Sequence, residues 1–212
     1  MRKQLEQKLG RRLARLATNA VVRRPLLWRA FRWLLRLQFD RLAPRWDTMR
    51  DPAHLNSFEL ALEGVEGSPR RALDLGTGTG AAAFAVARRF PEAQVTGADL
   101  SAEMLVEARR KTPPELAERV RFEQADAARL PYGDASFELV TLANMIPFFD
   151  ELARVLSPGG RALFSFSVGP ETPIWVPPER LRAELSRRGF SDFADFQAGS
   201  GTALLARKRE RV

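Results

Sequence analysis

Three aspartates lie near the ends of short strand-like segments of this 212-residue chain, and a glycine-rich stretch follows the first of them. Asp74 lies in LDLGTGTG, residues 73–80, where glycine takes every second position from 76 onward. A residue without a Cβ lets the backbone turn sharply and approach a ligand closely. Asp99 is the penultimate residue of AQVTGADL, and Asp126 ends VRFEQAD. We therefore expect a ligand held by backbone and by carboxylates, with Asp126 able to accept a hydrogen bond from an exocyclic amine.

The acid before the glycines separates two classes of ligand. Gly76, Gly78 and Ala81 satisfy the G-x-G-x-x-G/A pattern of a dinucleotide site, in which a pyrophosphate lies at a helix N-terminus. The carboxylate of Asp74 would repel a pyrophosphate, whereas it would suit a ligand with an ammonium or sulfonium group. Asp99, at the end of the next predicted strand, can accept hydrogen bonds from ribose hydroxyls. The pattern favours a cationic nucleoside over a polyphosphate.

Strand-length apolar runs alternate with helical runs from the first of these aspartates onward. This alternation predicts an α/β sandwich with parallel strands and a ligand beyond their C-terminal ends. The predicted strands are RRALDLG, AQVTGADL, VRFEQAD, FELVTLAN, RALFSFSV, FADFQA and TALLARK. The predicted helices between them are AAAFAVARRF, SAEMLVEARRKT with Ser101 as N-cap, FFDELARVLSPGG and PPERLRAELSRRGF. Earlier helices are predicted over residues 4–22, from Pro25, and from Pro52 to Leu62.

Charge is distributed unevenly along the chain. Residues 1–50 contain 14 Lys and Arg but three Asp and Glu, whereas the whole chain has 34 and 26. We therefore expect a basic amphipathic arm or lid (1–50) and a mildly acidic domain (51–212). The absence of cysteine and the single histidine exclude disulfides, thiolate catalysis and a histidine-rich metal site, and no metal is predicted. Neither a secretory signal nor a membrane-spanning helix is expected.

The arm combines leucines and arginines with three of the four tryptophans, Trp28, Trp33 and Trp46. Apolar and Arg-rich faces with interfacial Trp are typical of a helix on an anionic membrane surface, which residues 1–37 would contact. Packing of the arm as a lid or dimer contact is an alternative. Binding of nucleic acid is a less favoured one. We expect a cytoplasmic protein that can lie on the inner face of the membrane.

Four motifs in order resemble those of class I S-adenosylmethionine-dependent methyltransferases. They are LDLGTGTG, GADLSAEML, FEQADAARLPYGDASFELV and RVLSPGG. In addition, FDRLAPRWD (39–47) is similar to the N-terminal helix motif of ubiquinone and menaquinone methyltransferases, so that the likeness covers residues 39–208. The resemblance implies a Rossmann-like three-layer sandwich with a seven-stranded, mostly parallel sheet, an antiparallel last strand and N-terminal helices. It also implies S-adenosylmethionine as cofactor and S-adenosylhomocysteine as product.

The resemblance places cofactor contacts at the strand ends. Those implied for the methionine moiety are Asp74, Gly76, Thr77, Gly78 and Gly80. Those implied for ribose and adenine are Asp99, Leu100, Asp126 and Ala127. Those implied near the reacting methyl are Ala143 and Asn144, and those implied to line a lid are Phe39 and Trp46.

The expected reaction is an in-line displacement at the sulfonium, to which the protein contributes mainly proximity and orientation. A general base is needed only where the nucleophile must lose a proton. His54 is a candidate because it is the one side chain here that titrates near pH 7 unperturbed, and Asn144 is a second catalytic candidate. A packing role for His54 and a turn role for Asn144 are the structural alternatives.

The acceptor is predicted to be small or lipid-like and apolar, and to be methylated at a membrane surface. NMIPFF (144–149) lacks the Asn/Asp-Pro-Pro-aromatic motif of enzymes that methylate bases. Quinone-pathway enzymes usually carry a longer insertion after the fifth strand than SVGPETPIWVPP (167–178), so a quinone itself is not predicted. An RNA methyltransferase that uses the arm for phosphates and a non-catalytic cofactor-binding module are the alternatives.

Overall fold

The computed structural model describes residues 15–16, 18–22 and 24–210, in which seven strands and six named helices alternate. The strands are β1 (Arg71–Leu75), β2 (Gln94–Asp99), β3 (Val120–Gln124), β4 (Phe137–Ala143), β5 (Leu156–Phe166), β6 (Phe190–Ala198) and β7 (Gly201–Lys208). The α-helices are α1 (Trp28–Leu42), α2 (Asn56–Glu63), α3 (Ala81–Arg89), α4 (Ala102–Arg110), α5 (Phe149–Val155) and α6 (Pro178–Ser186). Residues 15–16 and 18–22 are also helical, and the rest of the predicted helix over 4–22 lies outside the described residues.

The strands form one sheet in the order β3-β2-β1-β4-β5-β7-β6. Every pair from β3 across to β5 is parallel, whereas β7 runs antiparallel to both β5 and β6. The predicted mostly parallel sheet with an antiparallel last strand is therefore confirmed. Because β1 has β2 on one side and β4 on the other, the connections after β1 and β4 leave to opposite sides. They leave a crevice at the C-terminal strand ends, which is where an α/β sheet binds its ligand.

Two apolar clusters, one on each face of the sheet, make this a three-layer sandwich. Successive residues of β1 alternate between them, with Leu73 and Leu75 on one face and Ala72 on the other. The first face is covered by α5 and α6, and the second by α2, α3 and α4. The first cluster also contains Val21, Val22 and Trp28, so the arm is packed into the same apolar core as the sheet.

One predicted element has a wrong boundary. The helix predicted over FFDELARVLSPGG ends at Val155, and Leu156 is already extended, with φ −80° and ψ 132°. Leu156 pairs with Phe137 of β4, and a bulge follows in that pairing. A Cβ at Gly160 would lie 2.9 Å from the carbonyl oxygen of Glu138, so the glycine permits close approach of the two strands. The Pro-Gly-Gly segment therefore lies in β5 rather than closing a helix.

The helix predicted over PPERLRAELSRRGF likewise ends early, at Ser186, and its last residue, Phe190, begins β6, whereas the remaining local predictions agree more closely with the structure. Ser101 caps α4 as predicted, because its Oγ accepts a hydrogen bond of 3.2 Å from the Met104 amide. The helix predicted from Pro25 begins with a 3-10 turn (Pro25–Leu27) before α1, and the helix predicted from Pro52 begins with another (Pro52–Leu55) before α2. No helix of the described residues is long and apolar enough to cross a membrane.

Candidate active site

The glycine loop between β1 and α3 needs its glycines for conformation and for space. Gly76 and Gly78 have φ of 66° and 54°, in the left-handed region that residues with a Cβ rarely adopt. A Cβ at Gly76 would lie 2.8 Å from Met145 Cγ. The loop is fixed to β2, because the amides of Gly76 and Thr77 donate to the carbonyl oxygen of Ala98 at 2.8 and 3.1 Å. The glycines therefore place a backbone without side chains at the crevice.

Asp74 is a fully buried carboxylate with an oxygen that has no partner. Its Oδ1 accepts a hydrogen bond of 2.8 Å from Thr141 on β4, whereas its Oδ2 has none among the described residues. Burial raises the pKa of Asp74 to about 6, although the nearby hydroxyls of Thr77 and Thr141 act in the opposite direction. A buried acceptor without a donor is costly. The site therefore lacks a donor, which a cationic ligand group would supply.

Two further buried polar atoms beside the glycine loop also have no partner. The Thr77 hydroxyl influences the pKa of Asp74 but makes no hydrogen bond of regular geometry. The indole Nε1 of Trp46 is buried without an acceptor, 3.4 Å from the position that a Cβ on Gly78 would occupy. Together with Asp74, these atoms offer both donors and an acceptor to a polar ligand at this loop.

Asp99 joins the glycine loop to the start of α4. Its Oδ2 accepts from the Gly78 amide at 2.8 Å and its Oδ1 from the Ser101 amide at 2.9 Å. Burial raises the pKa of Asp99, whereas these amides lower it. A carboxylate accepts about four hydrogen bonds, so acceptor capacity remains for ribose hydroxyls.

Asp126 is held by the arm. Its Oδ1 accepts from Trp28 Nε1 at 2.7 Å and from the Ala128 amide at 3.0 Å, and its Oδ2 pairs with Arg32 at 3.1 Å. Trp28 is buried and meets the ring of Phe148 edge to face, with 5.2 Å between centroids. The predicted contact with adenine would thus share this carboxylate with two side chains of α1.

The remaining predicted cofactor contacts lie along the same sheet edge. Leu100 is partly buried against the apolar core, and Ala127 is buried in it. Ala143 ends β4 and is followed by Asn144, which has a φ of 53°. The Asn144 carboxamide oxygen accepts from the amide and hydroxyl of Ser167, at 2.9 and 3.1 Å. Asn144 therefore ties the end of β4 to the segment after β5 and positions the loop that carries Met145.

His54 lies in the 3-10 turn before α2, with one ring nitrogen engaged. Its Nδ1 is 2.7 Å from the carbonyl oxygen of Asp51, so Nδ1 carries the proton and Nε2 is the acceptor. Nε2 is buried and has no partner among the described residues. Burial, followed by the charge of Arg50, lowers the pKa of His54, so the ring is neutral at pH 7. The geometry leaves a lone pair available, as a general base requires.

Of the two predicted lid residues, Trp46 lies beside the glycine loop and Phe39 packs against Trp46, and acids of the arm hold this region in place. Phe39 and Trp46 pack edge to face with 5.5 Å between centroids. Asp40 accepts a hydrogen bond of 2.6 Å from the Ser101 hydroxyl. Asp47 accepts one of 2.6 Å from Thr79 in the glycine loop and also pairs with Lys111. Sequence reasoning missed these acids, although each lies within the quoted motif FDRLAPRWD.

Residues 72–160 match the family model described as "Methyltransferase domain". Two curated relatives are similar to the chain. One is a demethylmenaquinone methyltransferase of Deinococcus radiodurans, 40% identical over 135 residues, which cover 58% of this chain and 56% of the relative. Residues 72–160 thus carry a methyltransferase domain. The resemblance stated from its four motifs is confirmed.

The second relative of this methyltransferase domain is a malonyl-[acyl-carrier protein] O-methyltransferase of Halorhodospira halophila. It is 38% identical over 147 residues, which cover 65% of this chain and 49% of that protein. The chain thus spans about half the length of each of these relatives. A solved complex of the Haloferax volcanii Trm112 activator with a methyltransferase has a similar fold, with a TM-score of 0.69 and 20% identity. That match covers 84% of this chain and 98% of the matched chain in the complex.

The polar groups of the methyltransferase domain fit the cofactor of its family. S-adenosylmethionine carries an ammonium, a carboxylate and a sulfonium at one end and a nucleoside at the other. The unpaired Oδ2 of Asp74 suits the ammonium, the bare glycine backbone admits the chain, and Asp99 retains acceptor capacity for the ribose. Among the described residues no cluster of His, Cys, Asp and Glu is arranged to hold a metal ion.

Proposed function

We propose that this chain transfers the methyl group of S-adenosylmethionine to a small, lipid-like apolar acceptor at an anionic membrane surface. The observation that carries the proposal is the carboxylate oxygen of Asp74, which has no partner among the described residues. It lies beside a loop whose positive φ angles favour glycine. The family match over residues 72–160 supports the reaction class.

The protein contributes binding and orientation to the reaction. When bound, S-adenosylmethionine supplies a methyl group on a positively charged sulfur, which a nucleophile can displace directly. Asp74 holds the ammonium, the loop from Gly76 to Gly80 supports the methionine chain, and Asp99 accepts from the ribose. Orientation of two reactants in this way can account for about 7–11 kcal/mol of a barrier.

A proton leaving the acceptor needs a base, and His54 has the suitable state. Its Nε2 lone pair is buried and unpaired, and the lowered pKa keeps it unprotonated at neutral pH. We infer that His54 accepts this proton when the acceptor is a carbon or oxygen acid. Asn144 acts through the loop that follows β4, because its carboxamide oxygen is engaged with Ser167.

The exposed face of α1 supports a lipid-like acceptor and an anionic membrane. Two large apolar side chains of α1, Trp33 and Leu34, are 63% and 58% exposed, and Leu26 in the preceding 3-10 turn is 83% exposed. Exposed Arg29 lies beside this face. Apolar side chains that include Trp, flanked by arginine, suit the boundary between headgroups and acyl chains of an anionic bilayer. Relatives named for demethylmenaquinone methylation are consistent with an acceptor of this kind.

Calorimetry with S-adenosylhomocysteine tests the cofactor site. We expect Asp99→Asn to weaken binding about 10-fold or more, because the neutral amide is a poorer acceptor for ribose hydroxyls. Asp195→Asn is the matched control, since Asp195 on β6 is exposed and pairs with Arg182 far from the glycine loop. Absence of binding by the wild type would refute the proposed function.

Co-sedimentation with vesicles tests the membrane surface. We expect the wild type to bind phosphatidylglycerol-containing vesicles more tightly than pure phosphatidylcholine. The double variant Trp33→Ala/Leu34→Ser should lose that binding, because these side chains are exposed on α1. Val106→Ser, which changes an exposed apolar side chain on α4, should bind like the wild type. Equal binding by all three proteins would show that α1 is not the contact.

Radiolabelled methyl transfer tests the acceptor class. The chain is incubated with methyl-labelled S-adenosylmethionine and a cell extract, which is then separated into organic, protein and nucleic acid fractions. We expect label in the organic fraction, and more of it in the presence of anionic vesicles. Label in the RNA fraction alone would instead support the nucleic acid alternative.

A further inference from the structure

Arg50 is a partly buried cation without a hydrogen-bonding partner. Its guanidinium lies 4.8 Å from the centroid of the Trp46 ring. Burial lowers the pKa of Arg50, although the charges of Asp47 and Asp74 act in the opposite direction. Among the described residues it has neither a hydrogen bond nor an ion pair, since Asp47 is engaged with Thr79 and Lys111. A desolvated charge without a partner is costly and marks a site where a ligand charge is expected.

Near the partly exposed guanidinium of Arg50 lie polar atoms that are buried and unpaired among the described residues. Trp46 Nε1 is a donor without an acceptor and Asp74 Oδ2 an acceptor without a donor of regular geometry among the described residues, and the Thr77 hydroxyl lies close enough to lower the pKa of Asp74. Arg50 is electrostatically coupled to Asp74, and Trp46 Nε1 lies beside Gly78. The guanidinium of Arg50 and the indole N–H of Trp46 are therefore hydrogen-bond donors close to the carboxylate of Asp74, which is an acceptor.

This pairing of opposite charges discriminates between classes of ligand. A simple anion such as phosphate would be attracted by Arg50 and repelled by Asp74. A ligand with a carboxylate and an ammonium on one carbon would satisfy both groups at once. Guanidinium binds carboxylate through two parallel N–H donors, which adds geometric specificity to charge.

We propose that Arg50 and the indole N–H of Trp46 bind the carboxylate of the amino-acid end of S-adenosylmethionine. This inference rests on the proposed function and names the part of the cofactor that these residues recognise. Asp74 takes the ammonium of the same amino-acid group. The segment between α1 and α2, which contains Trp46 and Arg50, would therefore contact the amino-acid end of the cofactor directly.

Two ligands that differ in that end provide the test. S-adenosylhomocysteine carries the amino-acid group, whereas 5′-methylthioadenosine keeps the nucleoside and sulfur without it. We expect Arg50→Gln to weaken calorimetric binding of S-adenosylhomocysteine about 10- to 100-fold, which is the range for a charge-assisted hydrogen bond. Binding of 5′-methylthioadenosine should change less than about twofold, within the range expected when no contact is lost. Arg50→Lys should recover part of the lost affinity.

Two further variants control for structure. Trp46→Phe keeps an aromatic ring against Phe39 but removes the N–H, so it should weaken S-adenosylhomocysteine and spare 5′-methylthioadenosine. Arg45→Gln changes an exposed arginine in the neighbouring 3-10 turn and should affect neither ligand. Thermal melting of each variant establishes that it is folded.

The outcomes separate this proposal from the proposed function. Equal loss of both ligands in Arg50→Gln and Trp46→Phe would show a structural role and overturn the assignment. Unchanged binding of S-adenosylhomocysteine in Arg50→Gln would overturn it as well, while the nucleoside site would stand. Failure of the wild type to bind either ligand would refute the proposed function and this inference together.

Discussion

The two ends of the predicted nucleoside site differ in how their carboxylates are satisfied. At the glycine-loop end, Asp74 is fully buried and keeps one oxygen unpaired. At the other end, Asp126 accepts from Trp28, Arg32 and its own loop. Both aspartates lie at or just beyond the end of a parallel strand. From the sequence, both were predicted to contact the cofactor. One carboxylate thus keeps an oxygen without a partner among the described residues, whereas the other anchors the arm.

This contrast links ligand binding to the position of α1. An adenine amine at Asp126 would have to use the acceptor capacity that Trp28 and Arg32 leave free. A group at Asp74 would meet no such competition. We therefore expect changes at Asp126 to act mainly on the arm, and changes at Asp74 to act mainly on cofactor affinity.

The largest effect is expected at Trp28. Replacing Trp28 with Ala removes a buried ring from its packing with Phe148 and takes one of its three donors from Asp126. We expect the free energy of unfolding to fall by about 3–5 kcal/mol, measured by urea denaturation. Trp33→Ala, at an exposed position of the same helix, is the control and should change it by less than about 0.5 kcal/mol. A similar small change in both variants would show that the arm is not anchored through Trp28.

Asp74→Asn should have the next largest effect, on affinity rather than on stability. The amide can still accept from Thr141 but cannot form a charge-assisted bond with an ammonium. We expect S-adenosylhomocysteine to bind about 10- to 100-fold more weakly in calorimetry. Asp126→Asn sharpens the comparison, because it should lose less affinity while lowering the melting temperature more. The reverse ranking would place the principal ligand contact at Asp126.

The raised pKa of Asp74 predicts a pH dependence with a definite sign. Below about pH 6 the carboxyl is protonated in the ligand-free protein and cannot pair with an ammonium, so affinity for S-adenosylhomocysteine should rise from pH 5 to 7 and then level off. The same group should make the free energy of unfolding fall as pH rises between about 4 and 6, because the folded state holds this proton more tightly. Burial also raises the pKa of Asp99, so Asp74→Asn isolates the contribution of Asp74. A pH profile identical in wild type and variant would contradict this assignment.

The smallest effect on stability is expected for the solvent-exposed ion pair between Asp47 of the arm and Lys111 at the end of α4. Asp47 and Lys111 are 49% and 27% exposed at their side chains, where solvent screens the interaction. A double-mutant cycle with Asp47→Asn and Lys111→Met should give a coupling free energy below about 1 kcal/mol. A larger value would mean that the arm is held at this point as firmly as at Asp126.

Much of the fold could be predicted because its signals are local. Apolar periodicity placed all seven strands, and Ser101 was recognised as an N-cap from its position before a helical run. The end of α5 was not predicted, because the pairing of Leu156 with Phe137 is a contact between distant segments. Pro-Gly-Gly is equally compatible with a helix stop and with a bulged strand, and only the neighbouring strand selects between them.

Part of the site was also predictable from local signals, and part was not. The glycines and the three aspartates carry a spacing signal, so their common edge of the sheet could be found from the sequence. Arg50 has no such signal, since it is one of 14 basic residues in the first 50. Its significance comes from burial beside Trp46 and from the absence of a partner among the described residues. A basic residue just after the FDRLAPRWD motif is the one clue that the sequence offered.

The sequence by itself determined the class of fold, the glycine loop and the family of the domain, because each depends on residue type and short-range spacing. Tertiary structure alone decided which polar groups are satisfied. Hydrogen bonding is a matter of distance between atoms that lie far apart in the chain, as Trp28 and Asp126 do. The same kind of carboxylate therefore has an unpaired oxygen at Asp74 among the described residues and anchors the arm at Asp126.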